Sequence, residues 1–260
     1  MQSTKGQKYE KRTIGFFHEQ DQSEKELYLR AKFKVGILGG KGGRDQAYAL
    51  GHDLTKEFYT IQTGGYNAGA MEGGLNGAND AIEEMRENNK TRELLDKVYP
   101  FPKGITMEKS AGKFPETQGE NIKIEKVEGK GGKYQAEHRL GKLVEDSAAC
   151  IILPGDSGTK TEIYDAVHFH QNVQMKLGLE TKPLIFIGSS HNEMLQKDFK
   201  EVINKSDNVY EIQTEKEAIN LVKILQNLRD ASALELTKDR IEALEEERKR
   251  HLLKFETTNK

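Results

Sequence analysis

The sequence predicts an α/β fold, a mostly parallel sheet with helices on both faces. Two observations carry this reading. From about residue 32 to residue 228, apolar runs of strand length alternate with helical patterns, which implies βαβ units joined by right-handed crossovers. Three glycine-rich turns, Gly39–Gly43, Thr63–Gly69 and Pro154–Gly158, fall at the carboxyl ends of such runs. Open parallel sheets bind their ligands there.

The elements follow in order. Residues 1–31 are charged, with apolar patches at Ile14–Phe17 and Leu27–Leu29, and read as an N-terminal extension. The first strand is expected over Phe33–Leu38 and its helix over Arg44–Glu57. The second strand is Phe58–Gln62, followed by a helix over Gly69–Asn88. Then comes a long stretch rich in Lys, Glu and Gly, of which residues 88–134 read as an insertion or a lid. Strand Ala148–Leu153, helix Gly158–Leu177, strand Pro183–Ile187, helix Asn192–Asn204, strand Asn208–Ile212 and helix Glu215–Leu228 complete the alternation. That last helix begins TEKE, in which Thr214 and Glu217 have the spacing of a capping box. Residues 229–260 read as a charged C-terminal helix or tail. Its thin apolar stripe, with Ile241, Leu244 and Leu252, suits either a projecting helix that meets a partner or a solvated one.

Composition bounds the function loosely. A chain of 260 residues is long enough for one sizeable core. Its 40 basic and 42 acidic residues nearly cancel, so no global field favours nucleic acid or an anionic membrane as a partner. No window approaches the roughly 18 apolar residues of a spanning helix, and no secretory signal is evident near the start. The single cysteine, Cys150, excludes an internal disulfide and a thiolate metal cluster. The expectation is a cytoplasmic protein.

The segment LPGDSGTKTE, Leu153–Glu162, is the most informative in the chain. A buried strand ending in a glycine-rich turn that opens a helix is a common phosphate cradle. Glycines let the backbone approach closely, and the helix N-terminus offers free N–H groups and a positive dipole end. Glu162 adds a carboxylate beside the cradle, which favours chemistry on a nucleotide over its storage. The first turn, GGKGG, lacks the GxGxxG spacing, and Gln62 and Thr63 stand where a ribose-binding acid would be expected. Each turn alone could be only a tight turn; three at one sheet edge favour a nucleotide or sugar-phosphate ligand.

Several of these residues resemble a known family. TGGYNAGAMEGGLNGANDA is similar to the stretch GGGxxGLMGxVAxGAxxAGG, and LPGDSGTKTE to the PGGxGTxxE signature, of the Lonely guy family, often misannotated as lysine decarboxylases. Arg139 stands fifteen residues before Pro154, and Gln171 seventeen after it, where the family has an arginine and a glutamine. LETKPLIFI resembles the family's IHxKPVALL strand. The resemblance covers roughly residues 32–228. It implies a Rossmann-like fold, usually a homodimer. The implied activity is hydrolysis of the N-glycosidic bond of a nucleoside 5′-monophosphate, AMP or an N6-substituted AMP, with no cofactor and no metal.

The chain also departs from the family. Tyr66 replaces the third glycine of GGG, Glu72 stands where a small residue is usual, and Leu140 replaces a lysine. Asp156 puts a carboxylate into the phosphate turn. Aspartate is among the best N-cap residues, so capping the following helix is the expected role for it.

The expected roles follow from the chemistry. Cleavage builds positive charge on the ribose, so Glu162 would stabilise it or activate water. Arg139 would orient ribose or phosphate as a rigid bidentate donor. Gly155, Ser157, Gly158 and Thr159 would cradle phosphate, while Gly64, Gly65, Asn67 and Gly69 would line the neighbouring turn, with Gly39 and Gly40 beside them. For Glu162 the plainer alternative is a favourable charge in the first helical turn. His168 and His170, two apart on a helix, face different sides and suit a metal poorly. His138 is read as a surface residue, and Cys150 as a small buried hydrophobe. Ile163, Val167, Gln171 and Gln174 form a row at spacings of three and four, expected either near a twofold interface or packed on the sheet. A non-catalytic nucleotide-binding or sensor protein is the alternative function.

Overall fold

The computed structural model describes residues 22–108, 115–128 and 132–256. The patch at Ile14–Phe17 lies outside them. Seven parallel strands form one sheet: β1 (Lys34–Leu38), β2 (Thr60–Thr63), β3 (Lys103–Met107), β4 (Lys123–Val127), β5 (Ala149–Ile152), β6 (Leu184–Ile187) and β7 (Val209–Ile212). Their order is β4-β3-β2-β1-β5-β6-β7. The chain winds outward from β1 to one edge, returns, and winds from β5 to the other. The direction reverses between β1 and β5, which makes the space beyond their carboxyl ends the natural ligand position. This is a Rossmann-like fold.

Side chains alternate across the strands, and each face is covered by its own helices. Val35, Ile37, Ile61, Ile151, Ile185 and Tyr210 pack with α2 (Arg44–Lys56), α3 (Gly69–Arg86) and α8 (Glu215–Arg229). Leu38, Ile105, Cys150, Ile152, Phe186 and Val209 pack with α5 (Gly132–Asp146), α6 (Ser157–Asp165) and α7 (Asn192–Lys205). Cys150 is fully buried and burial pushes its thiol up to about 12, so it behaves as an inert apolar group. The capping box is present: the Thr214 hydroxyl accepts from the Glu217 N–H, and the Glu217 carboxylate accepts from the Thr214 N–H at 3.2 Å.

Two glycines of GAMEGGLNGA, Gly73 and Gly77, are explained by helix packing rather than by ligand contact. Gly73 and Gly77 lie one helical turn apart on α3. A Cβ on either would collide with a carbonyl of α2, at Arg44 or Tyr48, so the two helices touch backbone to backbone. Glu72 pairs with Arg44 at 3.0 Å on this same contact.

The described residues of 88–134 include a helix and two strands of the main sheet. Asn88 caps α4 (Asn89–Val98), accepting from the Lys90 and Thr91 N–H groups, and β3 and β4 extend the sheet itself. The C-terminal stripe also turns inward. Helix α9 (Lys238–Lys249) packs on α8, burying Leu244, and after it Leu253 is buried against the sheet. The Glu211 N–H donates to the His251 carbonyl and the Leu253 N–H to the Val209 carbonyl, both at 2.9 Å. Residues 251–253 thus run antiparallel along the outer edge of β7. Helix α1 (Gln22–Lys32) leads into β1, and its Arg30 pairs with Glu57 at 2.9 Å.

No described helix is long and apolar enough to cross a membrane. The row Ile163, Val167, Gln171 faces the protein's own interior. The first two sit in the core, and the Gln171 amide donates to the Lys182 carbonyl and accepts from the Ser206 hydroxyl. These three therefore pack inside the chain, while Gln174, the fourth of the row, is half-buried.

Candidate active site at the carboxyl edge of the sheet

The three glycine-rich turns meet where the winding reverses. The turn after β1 and the turn after β5 touch backbone to backbone: a Cβ on Gly155 would lie 2.6 Å from the Gly40 nitrogen, and one on Gly40 would lie 2.9 Å from the Gly155 Cα. Only glycines allow this approach. The Ala70 N–H donates to the Gly40 carbonyl at 3.1 Å and so ties the start of α3, where Gly69 is the first residue, to the same point. From below, His191 holds the loop after β5. This histidine is 4 % exposed, its Nε2 lies 3.2 Å from the Leu153 carbonyl, and burial keeps its pKa below the ordinary value. The neutral ring donates there.

Two helices deliver the charged groups. Glu162 is in the second turn of α6, too far along for the N-terminal dipole to explain it. Arg139 is on α5, and its guanidinium lies 3.7 Å from the Glu162 carboxylate, 3.5 Å from the Gly64 carbonyl and 5.5 Å above the Tyr66 ring. Both side chains are nearly buried, at 12 % and 13 % exposure. Burial pushes the Glu162 carboxyl up to about 7; Arg139 and the Gly39 N–H oppose this, and Asp156 adds to it. Such a group exchanges its proton near neutral pH, as acid–base catalysts do. A buried carboxyl facing a loosely held arginine is unusual as a purely structural pair, since the arginine's bonding capacity is not filled: its Nε has no partner among the described residues.

The phosphate cradle is only partly open. Asp156 is the N-cap of α6, and its carboxylate accepts from the Gly158 N–H at 3.0 Å. One N–H that a phosphate would use is therefore taken by a side chain with a negative charge. Ser157 opens the helix and is exposed, while Thr159 is buried, 2 % exposed, with a hydroxyl that has no partner among the described residues. That hydroxyl lies close to Gly155 and Gly40.

The turn after β2 is less available than the sequence implied. The Asn67 N–H donates to the Pro115 carbonyl at 2.7 Å, and the Gly65 carbonyl accepts from the Thr117 N–H at 2.9 Å. Residues 115–117 thus lie along this turn, and Gly65 and Asn67 give these backbone groups to them. Gly64 remains beside Arg139. Tyr66 is the residue that sequence reasoning missed. Its hydroxyl accepts from the Met107 N–H at 2.9 Å, which fixes the ring beneath Arg139. No signal in the sequence connects these residues. The structure brings together Glu162, Arg139, Gly39, Gly40, Gly64, Gly155 and Thr159. No group of three or more described His, Cys, Asp or Glu residues is placed to hold a metal.

No protein-family model and no curated protein matches the chain. Among solved structures, the molybdenum cofactor binding protein from the phototrophic bacterium Rippkaea orientalis is 20% identical, over 73% of this chain and 94% of that one, with a TM-score of 0.48. The molybdenum cofactor carrier protein from Chlamydomonas reinhardtii is 17% identical, over 74% of this chain and 96% of that one, with a TM-score of 0.43. Likeness at this level says nothing about chemistry.

Proposed function

We propose that the chain is an N-glycosidase that hydrolyses a nucleoside 5′-monophosphate, AMP or an N6-substituted AMP, to the free base and ribose 5-phosphate. The observation that carries this reading is the nearly buried Arg139–Glu162 pair at the meeting point of the glycine turns, with the carboxyl poised at about 7. Water adds its oxygen to C1′ as the bond from C1′ to the base nitrogen breaks, and the departing nitrogen takes a proton from solvent, to which Glu162 afterwards returns the one it removed from the attacking water. Ionised Glu162 stabilises the positive charge that grows on the ribose ring and accepts the proton of the attacking water. Arg139, braced on Tyr66, orients the sugar or its phosphate. Thr159, Ser157 and the backbone of Gly155 and Gly40 receive the phosphate. No metal or cofactor enters this scheme.

The test is to incubate pure protein with a panel of nucleoside monophosphates and to separate free base by chromatography. Release of base supports the enzyme. Tight binding with every nucleotide intact supports a sensor or carrier instead. Asp156 is the observation that favours that second reading, because its charge sits on the cradle and weakens a phosphate bound there.

Changing Asp156 to Gly separates the two roles of this carboxylate. Glycine is tolerated at an N-cap, so stability is expected to fall by only a few tenths of a kcal/mol. Affinity for AMP, measured by calorimetry, is expected to stay equal or improve. A loss of tenfold or more would mean that Asp156 holds the ligand directly and that the ligand is not anionic at this point.

The resemblance also leads us to propose a twofold homodimer. Ile163, Val167 and Gln171 are buried within one chain and do not form the contact, whereas Gln174 is only half-buried. Light scattering at micromolar concentration reads the answer: a mass near the single-chain 29.4 kDa rules the dimer out.

A further inference from the structure

The amino ends of β1–β4 carry a second polar feature, at the far end of α5 from the candidate site. Arg139 and Asp146 are seven residues apart on this helix, about 10 Å along its axis at 1.5 Å per residue. On β2, Ile61 packs under α2, so its neighbour Gln62 belongs to the opposite face. Gln62 is wholly buried, and neither its amide nitrogen nor its amide oxygen has a partner among the described residues. A buried amide with both ends unsatisfied is rare and asks for an explanation.

Gln62 lines a cavity of about 490 Å³ together with Lys34, Phe101, Lys103 and Lys123. Lys103 is already paired with Glu125 and with Asp146. Lys123 lies 4.7 Å over the Phe101 ring, and neither it nor Lys34 meets a carboxylate among the described residues. The cavity thus offers an amide that can donate and accept, an aromatic ring with the Lys123 ammonium on it, and the Lys34 ammonium; the Glu125 carboxylate in its lining is held by Lys103 and Lys142.

We propose that this cavity is a second binding site, for an adenine nucleotide. The glutamine amide matches the adjacent donor and acceptor on the edge of adenine. Lys34, with Lys123 held over the Phe101 ring at the cavity wall, receives the phosphate. The site is separate from the Arg139–Glu162 cleft and does not depend on any catalysis there.

The experiment titrates AMP into Glu162→Gln protein by calorimetry, alone and combined with Lys34→Glu or Gln62→Leu. A binding event weakened at least tenfold by each added change supports the site, as does unchanged AMP turnover by the single Lys34→Glu variant. If Lys34→Glu fails to fold, Lys34→Ala replaces it. AMP binding that neither change affects overturns the proposal, as does the absence of any AMP binding. A higher melting temperature for Gln62→Leu with AMP binding intact also overturns it, leaving Gln62 as a buried amide satisfied by water. If the wild type releases no base yet these variants lose an AMP site, the glycosidase reading fails and this one stands.

Discussion

Replacing Glu162 by Gln is expected to lower turnover of AMP by at least about 100-fold, the scale of a positioned acid–base group, while ligand binding persists. The same change is expected to stabilise the protein at alkaline pH. The fold holds the Glu162 carboxyl at about 7 instead of the ordinary 4.5, chiefly through burial. The folded chain therefore binds this proton more tightly than the unfolded chain. Its stability is full below about pH 4.5, declines as pH rises, and carries the whole penalty above about pH 7. That penalty is about 3 kcal/mol, at 1.36 kcal/mol per pH unit. Glutamine has no charge to bury, so denaturant unfolding at pH 8 should show the variant more stable by up to that amount. At pH 4 the two proteins should match. In the wild type, kcat/KM should rise with pH through about 7, because the ionised carboxylate is the working form. A fully active Gln variant, or a rate that falls through this range, would sink the mechanism.

Arg139→Met should have an effect of similar size for a different reason. Methionine keeps much of the apolar stem over Tyr66 and removes the guanidinium that positions the sugar. Misplacement of a substrate by a fraction of its length costs on the order of 10²-fold. The change also deprives Glu162 of the positive charge that opposes burial. Its titration should then move upward from about 7, which ¹³C NMR of the labelled carboxyl reads without any need for turnover. A midpoint that stays where it was would mean that the 3.7 Å contact is not an electrostatic one.

The parts of this molecule that the sequence predicts well are those whose signal is local. β1, β2, β5, β6 and β7 are short apolar runs between turn residues, and each lies within two residues of its expected bounds at either end. Strands β3 and β4 are different. KGITM contains one large buried aliphatic residue, and KIEKV, at the sheet edge, has a single buried position, Val127. Neither reads as apolar, so they disappear into a polar stretch. Helix α5 begins just after a Lys- and Gly-rich run that hides its start. The expected long helix from Gly158 to Leu177 is α only to Asp165; it widens into a π-helical stretch over Ala166–Val173 before a last α turn, Gln174–Lys176. Periodicity does not distinguish these windings at such length. In the site, Glu162 and Arg139 were legible because a motif fixes their spacing. Tyr66 under Arg139, His191 under Leu153 and residues 115–117 along the second turn were not, since each depends on pairing across tens of residues.

The docking of residues 251–253 along β7 has a consequence for how the chain is made. Synthesis runs from the N-terminus, so β6 and β7 are complete well before this segment emerges. Until then β7 presents unpaired N–H and carbonyl groups of a buried-type strand, a template for another chain. The interval in which a nascent chain can be captured by a neighbour is thus set by the time needed to translate and dock α9 and the segment behind it. Stalling within α9, or a charged residue in place of Leu253, would lengthen that interval without touching any catalytic group. Yield of assembled protein would fall while the activity of each correctly folded molecule stayed the same.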